Sequence, residues 1–134
     1  MALDEFGLIR RYFARSGTCG SHDHPQLRLG IGDDAALLDL PAGETLAVTS
    51  DTLVAGRHFP HDALPFDIGW KALAVNLSDL AAMGARPLGV TLALTLPAAD
   101  EYWLAAFAEG FFALADAHGV PLIGGDTTRG PLSI

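Results

Sequence analysis

Cysteine, lysine and basic charge are all scarce in this sequence, and each shortage removes a class of function. Cys19 is the only cysteine. An intrachain disulfide is therefore excluded, and the chain fits a reducing cytoplasm. The Gly, Ser and Thr residues around Cys19 form no nucleophile pattern, and no Cys/His set suits a structural zinc. Lysine and arginine together number 8 against 16 acidic residues, a formal net charge of −8. A nucleic-acid backbone or an anionic membrane needs a basic footprint, so neither is expected as the main partner. No apolar run is long enough to span a bilayer. Met1–Arg15 reads as a charged amphipathic segment rather than a secretory signal.

The common nucleotide motifs are missing too. The single lysine, Lys71, falls in a helical pattern, so there is no Gly-x-x-x-x-Gly-Lys-Ser/Thr loop, and no protein-kinase catalytic loop appears. Gly30-x-Gly32 lacks the third glycine of a dinucleotide fingerprint.

Half of the 134 residues are hydrophobic, enough for one domain with a real core. Of the 16 acids, 12 are Asp and 4 are Glu. Asp favours caps and loops and is the usual carboxylate for hard cations such as Mg²⁺. The chain is organised around Leu29–Leu38, where Asp33 and Asp34 sit between a glycine pair and a short apolar run. Adjacent carboxylates repel unless a cation or strong donors compensate, and the glycines let the backbone come close to a ligand. The stretch reads equally as a metal-phosphate corner or as an acidic surface turn.

Asp4 caps a first helix in which Phe6, Ile9, Tyr12 and Phe13 recur at helical spacing. Ser16–Gln26 reads as a solvated loop; His22 and His24 flank Asp23, but no third metal ligand stands at motif spacing. Leu27–Ile31 and Ala35–Leu40 look extended, and Thr45–Ser50 is expected to be a strand that delivers Thr49, Ser50, Asp51 and Thr52 to the edge of a sheet. His58 follows in the next turn. Asp67 is expected to cap a second helix ending near Gly84, with Trp70, Leu73, Leu77 and Leu80 as one apolar stripe and a second, mostly apolar face around Asp79. A carboxylate there needs a partner, either a metal or a base, Lys71 or another. Pro87–Pro97 alternates with period two and is the clearest strand. Asp100 caps a third helix, Glu101–His118, which Gly119 ends. Val120–Ile123 is a short strand opening into a glycine loop, Gly124–Gly130, whose amides can approach phosphate oxygens. Pro131–Ile134 looks like the start of another strand. The chain stops there without a turn or polar tail, which suggests a piece of a longer protein.

Asp33, Asp34, Asp51, Asp79 and Asp126 come from four separate elements. If these converge, they make a carboxylate pocket beside a glycine-rich segment, which suits Mg²⁺ and nucleotide chemistry.

Four stretches carry a family resemblance: Gly30-Ile31-Gly32-Asp33-Asp34-Ala35-Ala36; Thr49-Ser50-Asp51-Thr52-Leu53-Val54 with Gly56 and His58-Phe59; Lys71–Ala85; and Gly124-Gly125-Asp126-Thr127-Thr128-Arg129-Gly130-Pro131. In this order they resemble the N-terminal domain of the thiamine-monophosphate kinase family. Its superfamily includes aminoimidazole ribonucleotide synthetase, selenophosphate synthetase and the hydrogenase-maturation dehydratase. The resemblance implies an enzyme that phosphorylates thiamine monophosphate to thiamine diphosphate with ATP, by direct in-line transfer. It implies that Asp34, Thr49, Ser50, Asp51, Asp79 and Asp126 bind Mg²⁺, that His58 contacts the substrate and that Gly125 contacts the nucleotide, with no residue assigned as acid, base or nucleophile. Asp33 would orient its neighbour or the loop. The implied fold is α/β (α+β), a mixed or antiparallel sheet with helices on one face, and two such domains pair their sheets into a barrel-like homodimer. Residues 1–134 would be the ATP/Mg-binding and dimerisation domain; the family's C-terminal domain is absent, so the chain alone is expected to be inactive or nearly so. Many relatives have Tyr where Ala108 stands, which implies a lost or displaced aromatic contact to the nucleotide. Two rival readings are another ATP-using enzyme of the superfamily, of ribonucleotide-synthetase or selenophosphate-synthetase type, and a non-catalytic dimerisation or metal-binding module.

Overall fold

The computed structural model describes residues 4–15 and 23–134. Cys19 and His22 lie outside the described residues, and so does most of the solvated loop expected around them.

The Asp4 carboxylate accepts the Gly7 amide at 2.7 Å and caps α1 (Glu5–Leu8), which continues into a wider π turn, Ile9–Phe13. The π turn closes with the Ala14 amide on the Ile9 carbonyl at 2.8 Å. Its longer period puts Leu8 and Phe13, five apart, on the buried side and leaves Phe6 exposed, against the helical spacing expected of Phe6. Two short strands follow, β1 (Leu27–Leu29) and β2 (Leu37–Leu38), paired antiparallel.

The main body is two helices and two longer strands. Helix α2 spans Pro65–Ala82 and α3 spans Glu101–His118. Asp67 does not cap α2: the cap position is Leu64, without a side-chain bond, and Pro65 opens the helix with its fixed φ and missing N–H. Asp67 sits instead in the first turn, where a carboxylate favours the helix dipole. Helix α3 has the expected ends, with Asp100 accepting the Trp103 amide at 3.0 Å and Gly119 at φ 61° in the left-handed region.

Helices α2 and α3 pack directly on each other. Glycines set how close they come. A Cβ on Gly69 would stand 2.1 Å from the Phe107 carbonyl oxygen, and one on Gly110 would stand 2.0 Å from that of Phe66. Below the crossing, Leu73, Leu104, Phe107 and Phe111 are almost fully buried, each large side chain contributing roughly 1.5–3 kcal/mol of transfer free energy. Trp103, Phe107 and Phe111 stack in sequence, and Phe13 meets Phe107 edge-on. Trp70 lies outside this core, half-exposed and stacked on Phe66. The buried residues of α2 are Ile68, Gly69, Ala72 and Leu73, so its C-terminal half is not buried on two sides as its composition suggested.

Strand β3 (Val90–Leu96) pairs in parallel with β4 (Leu122–Arg129). Leu92, Leu94 and Leu96 join the helices in one core, while Thr91 and Ala93 on the opposite face are exposed. The stretch expected as a glycine loop is therefore mostly strand. Gly124–Arg129 runs in register with Thr91–Leu96. Gly125 is needed there because its φ is 146° and a Cβ would lie 1.9 Å from the Leu92 carbonyl oxygen. Adjacent glycines signal a loop when only sequence is read, but close backbone approach within a sheet makes the same demand.

Pro131–Ile134 does begin an extended segment. Ser133 exchanges backbone bonds with Thr95 at 2.8 and 3.2 Å, and Ile134 does so with Leu53 at 2.7 and 2.9 Å. Ser133 bridges antiparallel to Thr95, on a strand whose other partner, β4, is parallel. The fold is thus mixed α/β with small sheets and helices gathered on one face. No closed barrel forms among the described residues. Thr45–Ser50, expected as a strand, is paired with no other strand; it is exposed, with Val48 83% accessible. A strand-like sequence needs a neighbour to supply its ladder, and the described residues offer none alongside it.

Candidate metal-phosphate site

The site builds outward from two motifs thirty residues apart. Thr49 closes the extended segment, and Asp79 stands near the end of α2. The Thr49 hydroxyl donates to the Asp79 carboxylate at 3.3 Å. Asp79 is exposed. Lys71, the alternative partner weighed for it, is engaged elsewhere. Thr49, Ser50 and Asp51 line a cavity of about 820 Å³ together with Asn76 of α2 and with Thr91 and Ala93 of β3.

The other predicted ligands stand on other elements. Asp126 lies within β4, opposite Ala93 in the register and exposed, so it is mid-strand rather than at a strand end. Asp33 and Asp34 are exposed in the turn that Gly32 opens at φ 124°. The Asp33 carboxylate accepts the Asp34 backbone amide at 2.8 Å, so it braces its neighbour. Gly125 follows Gly124 in β4. Ala108 is buried in the core of α3, and that position faces packing rather than open space.

His58 and its turn sit at the far end of the same segment. The Val54 amide donates to His58 Nδ1 at 2.9 Å. The Lys71 ammonium donates to the His58 carbonyl oxygen. Neither contact was read from the sequence. The lone lysine in an otherwise lysine-free chain was the one available signal.

Among the described residues, no group of three or more His, Cys, Asp or Glu side chains is placed to hold a metal ion. The expected convergence of five carboxylates is not present as a ready-made cage. The donor set still fits Mg²⁺. It is all oxygen, carboxylates with the Thr49 and Ser50 hydroxyls. That ion keeps several waters and is usually held by one or two carboxylates plus the phosphates of a substrate. The Thr49–Asp79 pair beside Ser50 and Asp51 offers that much and no more.

Residues 32–134 match the family described as AIR synthase related protein, N-terminal domain. The chain belongs to this family. Within it, the chain is similar to thiamine-monophosphate kinases. That of Salmonella typhimurium is 58% identical over 134 residues, and that of Escherichia coli (strain K12) is 57% identical. Each alignment takes all of this chain and 40% of the relative. The crystal structure of thiamine-monophosphate kinase from Stenotrophomonas maltophilia K279a superposes with a TM-score of 0.81 at 62% identity, over 99% of this chain and 40% of that one. The chain therefore spans about 40% of the length of the relatives it matches. Among the described residues, no helix is long and apolar enough to cross a membrane.

Proposed function

We propose that this chain is the N-terminal ATP- and Mg²⁺-binding domain of an enzyme that phosphorylates thiamine monophosphate to thiamine diphosphate. The observation that supports this best is 58% identity over all 134 residues of the chain to a thiamine-monophosphate kinase. The reaction is direct in-line transfer. A phosphate oxygen of thiamine monophosphate attacks the γ-phosphorus of ATP, the bond to the β,γ-bridging oxygen breaks, and ADP leaves. Little covalent chemistry falls to the protein, whose task is positioning and charge neutralisation. Bound Mg²⁺ would neutralise charge on the phosphate oxygens. Asp34, Thr49, Ser50, Asp51, Asp79 and Asp126 are the residues that would hold it. His58 would bind the substrate phosphate, and Gly125 would let the nucleotide approach the β4 backbone.

The active form is a cytoplasmic homodimer built through the sheet. The small, exposed Thr91 and Ala93, with the exposed Leu46 and Val48 nearby in the cavity wall, support pairing on that side. A C-terminal domain completes the site, so the 134-residue chain alone forms no measurable thiamine diphosphate.

Calorimetry on the full-length protein tests the reading. Mg²⁺-ATP and thiamine monophosphate should each bind. Binding of ATP without thiamine monophosphate would replace this substrate with another acceptor, and binding of neither would leave a non-catalytic module.

A further inference from the structure

We propose that Lys71 is a positioning residue: its ammonium holds the His58 turn against α2 and so presents the His58 imidazole, through Nε2–H, to the substrate phosphate. The substrate assignment rests on the reading above; the positioning of His58 does not.

The turn from Val54 to Phe59 is fixed at several points. The Val54 carbonyl accepts the Arg57 and His58 amides at 3.1 and 2.9 Å, and the Gly56 amide reaches the Phe59 carbonyl at 2.8 Å. Phe59 is buried and anchors one end in the core. Leu53, buried and bonded to Ile134, anchors the other. Within this frame the ring of His58 is held by its own turn. Nδ1 accepts the Val54 amide at 2.9 Å, so the neutral ring carries its proton on Nε2. A nitrogen that accepts from a backbone N–H cannot also be the protonated one. Nε2–H is then a donor suited to a phosphate oxygen.

What the turn lacks from its own backbone is a tie to α2. Lys71 supplies it by donating to the His58 carbonyl oxygen. On the same helix, Asp79 holds Thr49. The two helix residues are eight apart, about 12 Å along the axis. They grip the segment at Thr49 and His58, so α2 sets the spacing between the metal-binding end and the phosphate-binding end. An ammonium engaged by a backbone carbonyl of its own chain acts on the substrate through His58 rather than by direct contact.

The test uses the full-length protein with Lys71→Met and Lys71→Arg. Nitrogen NMR of labelled histidine, on the ligand-free protein, reads the His58 tautomer. Steady-state kinetics reads each substrate separately. Lys71→Met should move the His58 Nε2 resonance as the turn leaves α2, while the Nε2–H tautomer set by the Val54 amide persists. It should raise KM for thiamine monophosphate about tenfold, the scale of a lost charged hydrogen bond, and leave KM for ATP unchanged. Lys71→Arg, which keeps a cationic donor, should restore both. An unmoved His58 spectrum in Lys71→Met would overturn the proposal. So would a raised KM for ATP with no rescue by arginine, which would make Lys71 a direct phosphate ligand. If the wild-type protein does not turn over thiamine monophosphate, the substrate reading fails, and the His58 spectrum still decides the positioning role.

Discussion

Thr49 Oγ1 and Asp79 Oδ2 lie 3.3 Å apart, and this contact ties to helix α2 a segment that pairs with no other strand among the described residues; both are residues proposed to hold Mg²⁺. The hydroxyl donates and the carboxylate accepts, which holds the two oxygens side by side. Asp79→Asn should lower Mg²⁺-dependent turnover in the full-length enzyme by roughly 10- to 100-fold, the range seen when metal-site partners are removed. Because Asp79 is exposed, its melting temperature should stay within a degree or two of wild type. A Mg²⁺ titration of activity, with circular dichroism alongside, checks both halves.

Asp33 and Asp34 should separate in role. Asp34→Asn is expected to raise the Mg²⁺ concentration needed for half-maximal activity and to leave the fold intact. Asp33→Asn keeps an oxygen that can accept the Asp34 amide, a bond now 2.8 Å long, and should be much milder. Equal effects of the two changes in a Mg²⁺ titration would contradict the division.

Gly125→Ala should destabilise the protein by at least about 2 kcal/mol, since it combines a left-handed backbone with overlap on a neighbouring strand. The clash is with the Leu92 carbonyl oxygen, 1.9 Å from the added carbon. Backbone cannot yield as a flexible side chain does. A urea melt reads the loss as a lower midpoint at unchanged slope.

Gly110→Ala should cost a similar amount by forcing α2 and α3 apart, with the added carbon 2.0 Å from the Phe66 carbonyl. In contrast, Asp100→Ala removes only the cap of α3 and should cost about 1 kcal/mol. Urea melts of the two variants side by side give the ranking, and a larger loss for Asp100→Ala would refute the helix-crossing argument.

The parts of this fold legible from sequence are those governed by local rules. Helix α3 begins after Asp100 and ends at Gly119 because a carboxylate cap and a left-handed glycine act on their own neighbours. The alternation of Leu92, Leu94 and Leu96 with Thr91, Ala93 and Thr95 marks β3 for the same reason. Where the answer depends on what lies opposite, the reading fails. Asp67 looks like a cap, but Pro65 starts the helix two residues earlier. Gly124-Gly125 looks like a loop, but the glycines answer to Leu92 across a parallel pair. Thr45–Ser50 has the composition of a strand and finds no partner strand among the described residues. At the site, the candidate acids were visible as short motifs, whereas their spacing was not. Asp79 reaches Thr49, and no three acids gather among the described residues. The Lys71–His58 contact was invisible because one partner is a backbone carbonyl, which no residue type advertises.

Product analysis reads the phosphorylation of thiamine monophosphate without an intermediary. Full-length protein incubated with thiamine monophosphate, ATP and Mg²⁺ should yield thiamine diphosphate and ADP in equal amounts, and none when Mg²⁺ is chelated. ATP consumed without thiamine diphosphate, or no reaction at all, would contradict it.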